Sequence, residues 1–438
     1  MFKIKRMFKI KWVKIMGITL MVIVISLGSL FGYAYLKITQ LKNTLKTCEL
    51  TQSDFIHEID FDYSSGIIVV QARINGSQKT YPFILDTGAI TVISQRMIDE
   101  LNIETNTMAG MKVNNGEALK PSFLTLDSLE LGAVEFSRIG AMVMDNEKLG
   151  RLNCISSYGI IGCNVLKSTV FQLNYQTQRM SITDDIDKLH HVNDACELSY
   201  QTSIQETPEI MVTIDSDHQE ILLLDTGHSG FLSIDSSQNL EHYRESDASR
   251  IKRFQCQQSI TIHGDLDVKS KISKYHYQTN HLGMGPIELS NLIIDITEHE
   301  EGFTQMRNGL IGNKFLENFI MTLDYQNHLI YLKKHPIADF SRKQSILGLG
   351  YTVKDNGIYV QTVYENSEAS EAGIDIGDQI VSINGVDVSF IPEEEVCDIF
   401  LGEKTFKKSD DDTITLEVLS HGNKSLHVLS RFKLYKIF

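Results

Sequence analysis

The sequence predicts a mainly β protein. An N-terminal transmembrane helix leads into two similar β-barrel lobes related by a pseudo-twofold, and a small α+β domain closes the chain. Three observations carry that expectation. The chain has 438 residues, too many for one compact core and enough for roughly two to four domains. Residues 15–36 run 22 positions without a charge. A pattern centred on Asp-Thr-Gly occurs twice, and its flanking features recur in the same order.

Residues 1–14 form a basic tail, with Lys3, Lys5, Arg6, Lys9, Lys11 and Lys14 and no acid. At ~1.5 Å rise per residue, the run that follows matches a hydrocarbon core of roughly 30 Å. Its cationic flank precedes the span, so the tail is expected in the cytoplasm and the body outside it. A cleaved signal peptide is the competing reading, but no A-x-A site follows the run. Residues 37–53 read as a short stalk, with Leu41 and Leu45 at helical spacing.

Net charge is −15, and without the six cations of the tail the remainder stands at −21. Phosphates would be repelled by so acidic a body, so nucleic acid is not an expected partner. Among the cysteines Cys48, Cys154, Cys163, Cys196, Cys256 and Cys397 there is no C-x-x-C, which speaks against zinc ribbons and thioredoxin-like sites. Cys154 and Cys163 are near enough in sequence to pair. Small apolar core residues are an equally good account of them, and no disulfide framework is indicated.

The repeat organises residues 54–336. Phe83-Ile-Leu-Asp86-Thr87-Gly88-Ala-Ile-Thr-Val-Ile-Ser94 corresponds to Leu222-Leu-Leu-Asp225-Thr226-Gly227-His-Ser-Gly-Phe-Leu-Ser233. Downstream, Leu129-Glu-Leu-Gly132 with Ile139–Met144 corresponds to Leu282-Gly-Met-Gly285 with Leu292–Ile296. Gly159-Ile-Ile-Gly162 corresponds to Gly309-Leu-Ile-Gly312, and Val170–Tyr175 to Phe319–Tyr325. Short β-branched runs such as Gly66–Ile74 and Phe319–Leu323 read as strands. Helical stretches follow each triplet, with Ser94 placed to cap Gln95–Leu101 and Asp235 to cap the residues after it. The first lobe is placed at 54–190 and the second at 191–336, with a connector near 190–205.

A single Asp-Thr-Gly has a plain reading as a turn, with Asp hydrogen-bonding locally and Gly taking positive φ. Two copies inside a repeat point to two carboxylates on a pseudo-twofold axis. Like charges a few ångströms apart do not both ionise cheaply, so the pair holds one proton and titrates as a unit. The charged member can act as general base on a water between them, while the protonated member donates to a substrate carbonyl oxygen. Gly88 and Gly227 let backbone come close to the carboxylates, and the hydroxyls of Thr87 and Thr226 are placed to join the two turns.

Residues 54–336 resemble the retropepsin and pepsin superfamily of aspartic peptidases, for which such a dyad is the standard account of catalysis. Asp86-Thr87-Gly88-Ala89 has the retroviral-style form. The order most resembles bacterial retropepsin-like proteins with both halves fused, so the catalytic unit is expected complete within one chain. The resemblance implies catalysis by Asp86 and Asp225, with Gly162 and Gly312 crossing behind the turns, and no cofactor or metal. His228 departs from the family pattern, which has Ala, Ser or Thr there; Ser229 is a candidate for that role. Flap hairpins are placed near Val113–Glu117 and Ile262–Asp265.

Residues 346–436 form the last unit. Leu347-Gly348-Leu349-Gly350-Tyr351, Gly357–Val360, Ala369–Ile374 and Gly377–Gly385 occur in an order that resembles a PDZ domain. The resemblance implies that Gly348, Leu349, Gly350 and Tyr351 receive a peptide's terminal carboxylate and that the adjoining strand edge takes the peptide by β-augmentation.

Other chemistries are poorly matched. Gly227-His-Ser-Gly230 is followed by Phe231, so a G-x-S-x-G elbow fails. H-E-x-x-H and Walker A are absent. Asp215-Ser-Asp217 lacks the glycine a calcium loop needs at position six. His190-His191 reads as a solvated linker pair. The expected function is a membrane-anchored aspartic endopeptidase acting on protein or peptide substrates, with a PDZ domain for recruitment or regulation. The rival from another class is a non-catalytic peptide-binding scaffold built on an inactive peptidase fold. A precursor cleaved within 37–60 is a third option, although no prosegment is evident.

Overall fold

The two Asp-Thr-Gly triplets end equivalent strands, Tyr81–Asp86 and His218–Leu224. In the first lobe Gly159–Gly162 runs parallel to Tyr81–Asp86, with Gly162 beside Asp86, and antiparallel to Val92–Ser94. In the second, Gly309–Ile311 runs parallel to His218–Leu224, with Ile311 beside Leu224, and antiparallel to Leu232–Asp235. Long hairpins cover each of these crossings. Ser122–Leu131 with Val134–Met144 serves the first lobe, and Lys271–Met284 with Ile287–Thr297 the second. The same parallel and antiparallel neighbours recur in the same order, so the sequence repeat is a repeat of topology.

The structure is a computed structural model. It describes Thr39 and residues 43–107, 111–112, 118–119, 122–146, 150–203, 205–215, 218–235, 243, 250–257, 271–298, 309–341, 345–406 and 412–433. The expected tail at 1–14, the transmembrane helix at 15–36 and both flap tips lie outside these residues. Among the described residues no helix is long and apolar enough to cross a membrane.

The lobes join through one sheet. Val170–Asn174 pairs antiparallel with Phe319–Asp324, with Leu173 opposite Met321. These are the two copies of the same repeat feature, placed against each other about the pseudo-twofold. Arg179–Thr183 and Ile56–Asp62 extend the sheet on one side, Leu329–Lys334 and Cys196–Ser199 on the other. One apolar cluster, including Phe83, Phe171, Leu224 and Phe315, runs through both lobes.

One local expectation is met directly, and two are corrected. Ser94 caps Gln95–Leu101, its hydroxyl accepting from Met97 N–H at 3.2 Å. Gly66, expected as the start of a strand, is in a turn at φ +74°, and that strand begins at Val69. Glu49–Leu50, read as stalk, is a strand paired with Val134–Met144 at the edge of the first lobe. The residues after Asp235, expected as a capped helix, lie outside the described set.

The C-terminal domain has its own core, including Val353, Ile358, Ile380 and Leu416. Leu349–Lys354 and Gly357–Tyr364 form a hairpin, and Glu393–Phe400 is a helix. Two attachments hold this domain to the lobes. Ile251–Gln257 of the second lobe pairs antiparallel with Gly357–Tyr364. A disulfide joins Cys154 of the first lobe to Cys397 of the C-terminal helix, 243 residues apart, with Cα atoms 5.1 Å apart. This corrects the suggested Cys154–Cys163 pair. Cys163 is a free, buried thiol that donates to the Gln205 carbonyl at 3.1 Å. Burial, and then the charge of nearby Asp86, pushes that thiol up to about 12.

Candidate active site

Each aspartate sits in a turn closed by its own glycine. Gly88 N–H donates to Asp86 Oδ1 at 2.7 Å, and Gly227 N–H donates to Asp225 Oδ1 at 2.9 Å. The turns then cross over to each other. A Cβ built on Gly88 would stand 2.7 Å from the Asp225 carboxyl carbon, and one on Gly227 would stand 2.3 Å from Asp86 Oδ2. No side chain fits there, so these two positions need glycine for close approach. The two carboxylates therefore occupy one site, each against the partner turn, and each residue is 8% exposed.

The threonines hold the turns together by reciprocal hydrogen bonds. Thr87 Oγ1 donates to the Leu224 carbonyl at 2.7 Å and accepts from Thr226 N–H at 3.1 Å. Thr226 Oγ1 donates to the Leu85 carbonyl at 2.8 Å and accepts from Thr87 N–H at 3.0 Å. Both side chains are fully buried, so each hydroxyl satisfies a backbone group of the other lobe that water does not reach.

Gly162 and Gly312 lie against the segments that follow the two turns. A Cβ on Gly162 would lie 2.3 Å from the Ile90 carbonyl carbon, and one on Gly312 would lie 2.4 Å from the Gly230 carbonyl oxygen. Both neighbours are backbone, which cannot step aside.

Two asparagines that the sequence comparison passed over complete the support. Asn164 Oδ1 accepts from both the N–H and the hydroxyl of Thr91, each at 2.8 Å, and its amide donates to the Gly140 carbonyl. Asn313 donates to the Thr226 carbonyl at 2.7 Å and to the Gly66 carbonyl at 3.1 Å, and accepts from Tyr175 hydroxyl at 2.9 Å. It thus ties the second Asp-Thr-Gly turn to two points of the first lobe. The signal was an asparagine within two residues of each glycine, Asn164 two after Gly162 and Asn313 directly after Gly312.

His228 lies beside the second turn. A Cβ on Gly230 would stand 2.3 Å from its Nε2, and one on Gly312 would stand 2.6 Å from its Cδ2. The ring therefore packs over glycines behind the turn. Ser229 faces Gly66, with its Cβ 3.7 Å from where a Gly66 Cβ would be. On either side of Val113–Glu117, where a flap was expected, Met111–Lys112 and Ala118–Leu119 pair antiparallel. Among the described residues, no three His, Cys, Asp or Glu side chains gather as a metal site.

The PDZ-loop residues lie at the start of the C-terminal hairpin. Gly348 has φ +77°, and its carbonyl accepts from Tyr364 N–H at 2.9 Å. Leu349, Gly350 and Tyr351 begin the Leu349–Lys354 strand, which bulges between Gly350 and Tyr351.

Comparison with known proteins agrees with both parts. Residues 70–168 match the family model described as gag-polyprotein putative aspartyl protease, and residues 337–419 match that for the PDZ domain. The chain thus carries a retropepsin-like aspartic-protease domain and a PDZ domain. Over 94 residues it is 35% identical to syntenin-1 of Mus musculus, which is 21% of this chain and 31% of that protein. It therefore spans about a third of that relative's length. Among solved structures it is similar to basic 7S globulin from soybean at 8% identity, with a TM-score of 0.37 over 68% of this chain and 100% of the other. It is also similar to the aspartic proteinase from Irpex lacteus at 11% identity, with a TM-score of 0.37 over 65% and 98%.

The threonine pair is open to a double-mutant cycle. Thr87→Val and Thr226→Val keep the shape and remove a hydroxyl, so each is expected to lower stability by about 1–3 kcal/mol in denaturant titration. Because both hydroxyls belong to one network, the double variant is expected to depart from additivity by about 0.5–3 kcal/mol. Simple additivity would show that the two turns are held by something else.

Proposed function

We propose that this protein is a membrane-anchored aspartic endopeptidase whose body lies outside the cytoplasm. Asp86 and Asp225 share one proton and hold one water between them. The ionised member takes a proton from that water as it attacks the scissile carbonyl, and the protonated member donates to the carbonyl oxygen. As the bond breaks, the base returns its proton to the leaving amine. The observation that carries this reading is the mutual approach of the two turns, where each carboxylate fills the space a side chain on the other's glycine would need. Thr87, Thr226, Gly162 and Gly312 hold that geometry, and both aspartates belong to one polypeptide.

The PDZ domain is proposed to bind peptide C-termini through Gly348–Tyr351 and the edge of Leu349–Lys354. The match of residues 337–419 to the PDZ family model supports the domain type. The membrane anchor rests on the uncharged run at 15–36 and its one-sided basic flank. A Cys154–Cys397 disulfide suits the oxidising side of a membrane.

Asp86→Asn and Asp225→Asn are each expected to lower peptide-bond turnover by about 10²–10⁴-fold or more while the fold survives, since Asn is nearly isosteric. A peptide mixture assayed from acidic to neutral pH checks this. Cleavage that persists in either folded variant excludes the two-aspartate mechanism, and no cleavage by the unaltered chain favours the scaffold reading. Topology has its own measurement. Protease added to intact cells, or to spheroplasts where an outer envelope is present, is expected to remove the body. Protection until the cytoplasmic membrane is breached would contradict the proposed orientation.

A further inference from the structure

The first lobe touches the PDZ domain at two elements, the strand Leu349–Lys354 and the helix Glu393–Phe400. Asp355 and Asn356 form a two-residue turn with φ of +46° and +58°, as a tight hairpin requires. Lys354 and Gly357 close that turn, so in the alternating antiparallel ladder the next pair, Val353 with Ile358, turns its backbone groups outward. The Val353 carbonyl is therefore on the edge of the strand that faces away from its hairpin partner. Arg151 of the first lobe donates from Nη2 to that carbonyl. Its guanidinium carbon lies 5.5 Å from the ring centroid of Phe400, on the Glu393–Phe400 helix. One side chain thus bridges the strand and the helix that flank the groove. Cys397 is one turn from Phe400 on the same helix face and is bonded to Cys154.

Arg151 and Cys154 lie on the short 3-10 helix Gly150–Cys154 of the first lobe. Leu152 packs on a cluster that includes Ala89 and Val92, just after the first catalytic turn. Asn153 donates to the Asn146 carbonyl. Burial lowers the Arg151 pKa, as expected of a guanidinium drawn out of water.

We infer that Gly150–Cys154 is an internal occupant of the PDZ groove, bolted there by the Cys154–Cys397 disulfide, and that a dithiol reductant opens the groove to peptide C-termini. This rests on the peptide-binding reading given above. An incoming strand needs the outward backbone groups of Leu349–Lys354, and Arg151 holds one of them. The chemistry is thiol–disulfide exchange. One reductant thiolate attacks a sulfur of the Cys154–Cys397 bond and forms a mixed disulfide. Its second thiolate then closes the reductant's own disulfide, and both protein cysteines end as thiols carrying the two protons given up. Two electrons pass from reductant to protein. The domain is not shed, because Phe254, Gln255 and Cys256 of the second lobe remain paired with Tyr364, Val363 and Thr362.

The test uses the full chain in detergent with Asp225→Asn, so that probe peptides are not cut. The probe is a fluorescent pool with four randomised C-terminal residues, either free or amidated, read by anisotropy. A non-reducing peptide map first establishes whether Cys154 and Cys397 are linked in the air-oxidised chain. The linked chain is expected to bind the free pool no better than the amidated one. Dithiothreitol, or Cys154→Ser without reductant, is expected to raise binding of the free pool about tenfold or more, as for a site open less than a tenth of the time beforehand. Adding Arg151→Ala to Cys154→Ser is expected to raise it again. Equal binding by linked and reduced chains overturns the inference and leaves the peptide-binding reading standing. Unlinked cysteines in the oxidised chain also overturn it. No binding by any form, with the link mapped, overturns the peptide-binding reading and the inference together.

Discussion

Two carboxylates in a largely buried site repel each other, and they stay together only if the turns that carry them are held by something stronger. Here the holding is done by Thr87 and Thr226, through four hydrogen bonds that cross between lobes. Each hydroxyl donates to a carbonyl and accepts from an N–H of the partner turn, so no donor in the knot is left over. The rest of the architecture follows from that knot. Turns joined so closely leave no room for a Cβ at positions 88 and 227. The strands that cross behind them need Gly162 and Gly312 for the same reason. The shared sheet of Val170–Asn174 and Phe319–Asp324 fixes the lobes at the spacing the knot demands.

Duplication made most of this readable in advance. Asp86, Thr87, Gly88 and Gly162 each have a counterpart in the same order in the second copy, because both lobes solve the same steric problem. Residues that break the symmetry were harder to read. Asn164 and Asn313 both brace the turns, yet they stand one position apart in the two copies. Cys163-Asn164 in one aligns with Asn313-Lys314 in the other, so the repeat cancels the signal instead of reinforcing it. Asn164 fastens Thr91 within its own lobe, whereas Asn313 fastens the second Asp-Thr-Gly turn across lobes to Gly66 and Tyr175. His228 is likewise unique to the second copy. The Cys154–Cys397 link had no local mark at all, because its partners lie 243 residues apart in different domains.

The PDZ domain was legible as a unit from its glycine pattern, but its seating was not. A domain read only as the last unit of the chain is stitched into the body at two places. The second lobe offers the edge of Ile251–Gln257, and pairing with Gly357–Tyr364 covers backbone groups that would otherwise be exposed on both. His276 of the second lobe reinforces that seam, with Nδ1 2.6 Å from Asp295 and Nε2 2.8 Å from the Tyr364 hydroxyl. The first lobe holds the opposite side through Arg151 and Cys154. The outer edge of Leu349–Lys354 and the Asp-Thr-Gly turns therefore meet through one short segment, Gly150–Cys154, whose Leu152 rests on the apolar cluster around Ala89.

The central claim is that Asp86 and Asp225 form one catalytic site per polypeptide. Calorimetric titration with a peptide isostere tests it most directly, using a secondary hydroxyl in place of the scissile carbonyl to occupy the water's position between the carboxylates. The account predicts saturation at one ligand per chain, independent of protein concentration, with binding lost in both Asp86→Asn and Asp225→Asn. Saturation at one ligand per two chains, or undiminished binding in either variant, would contradict it.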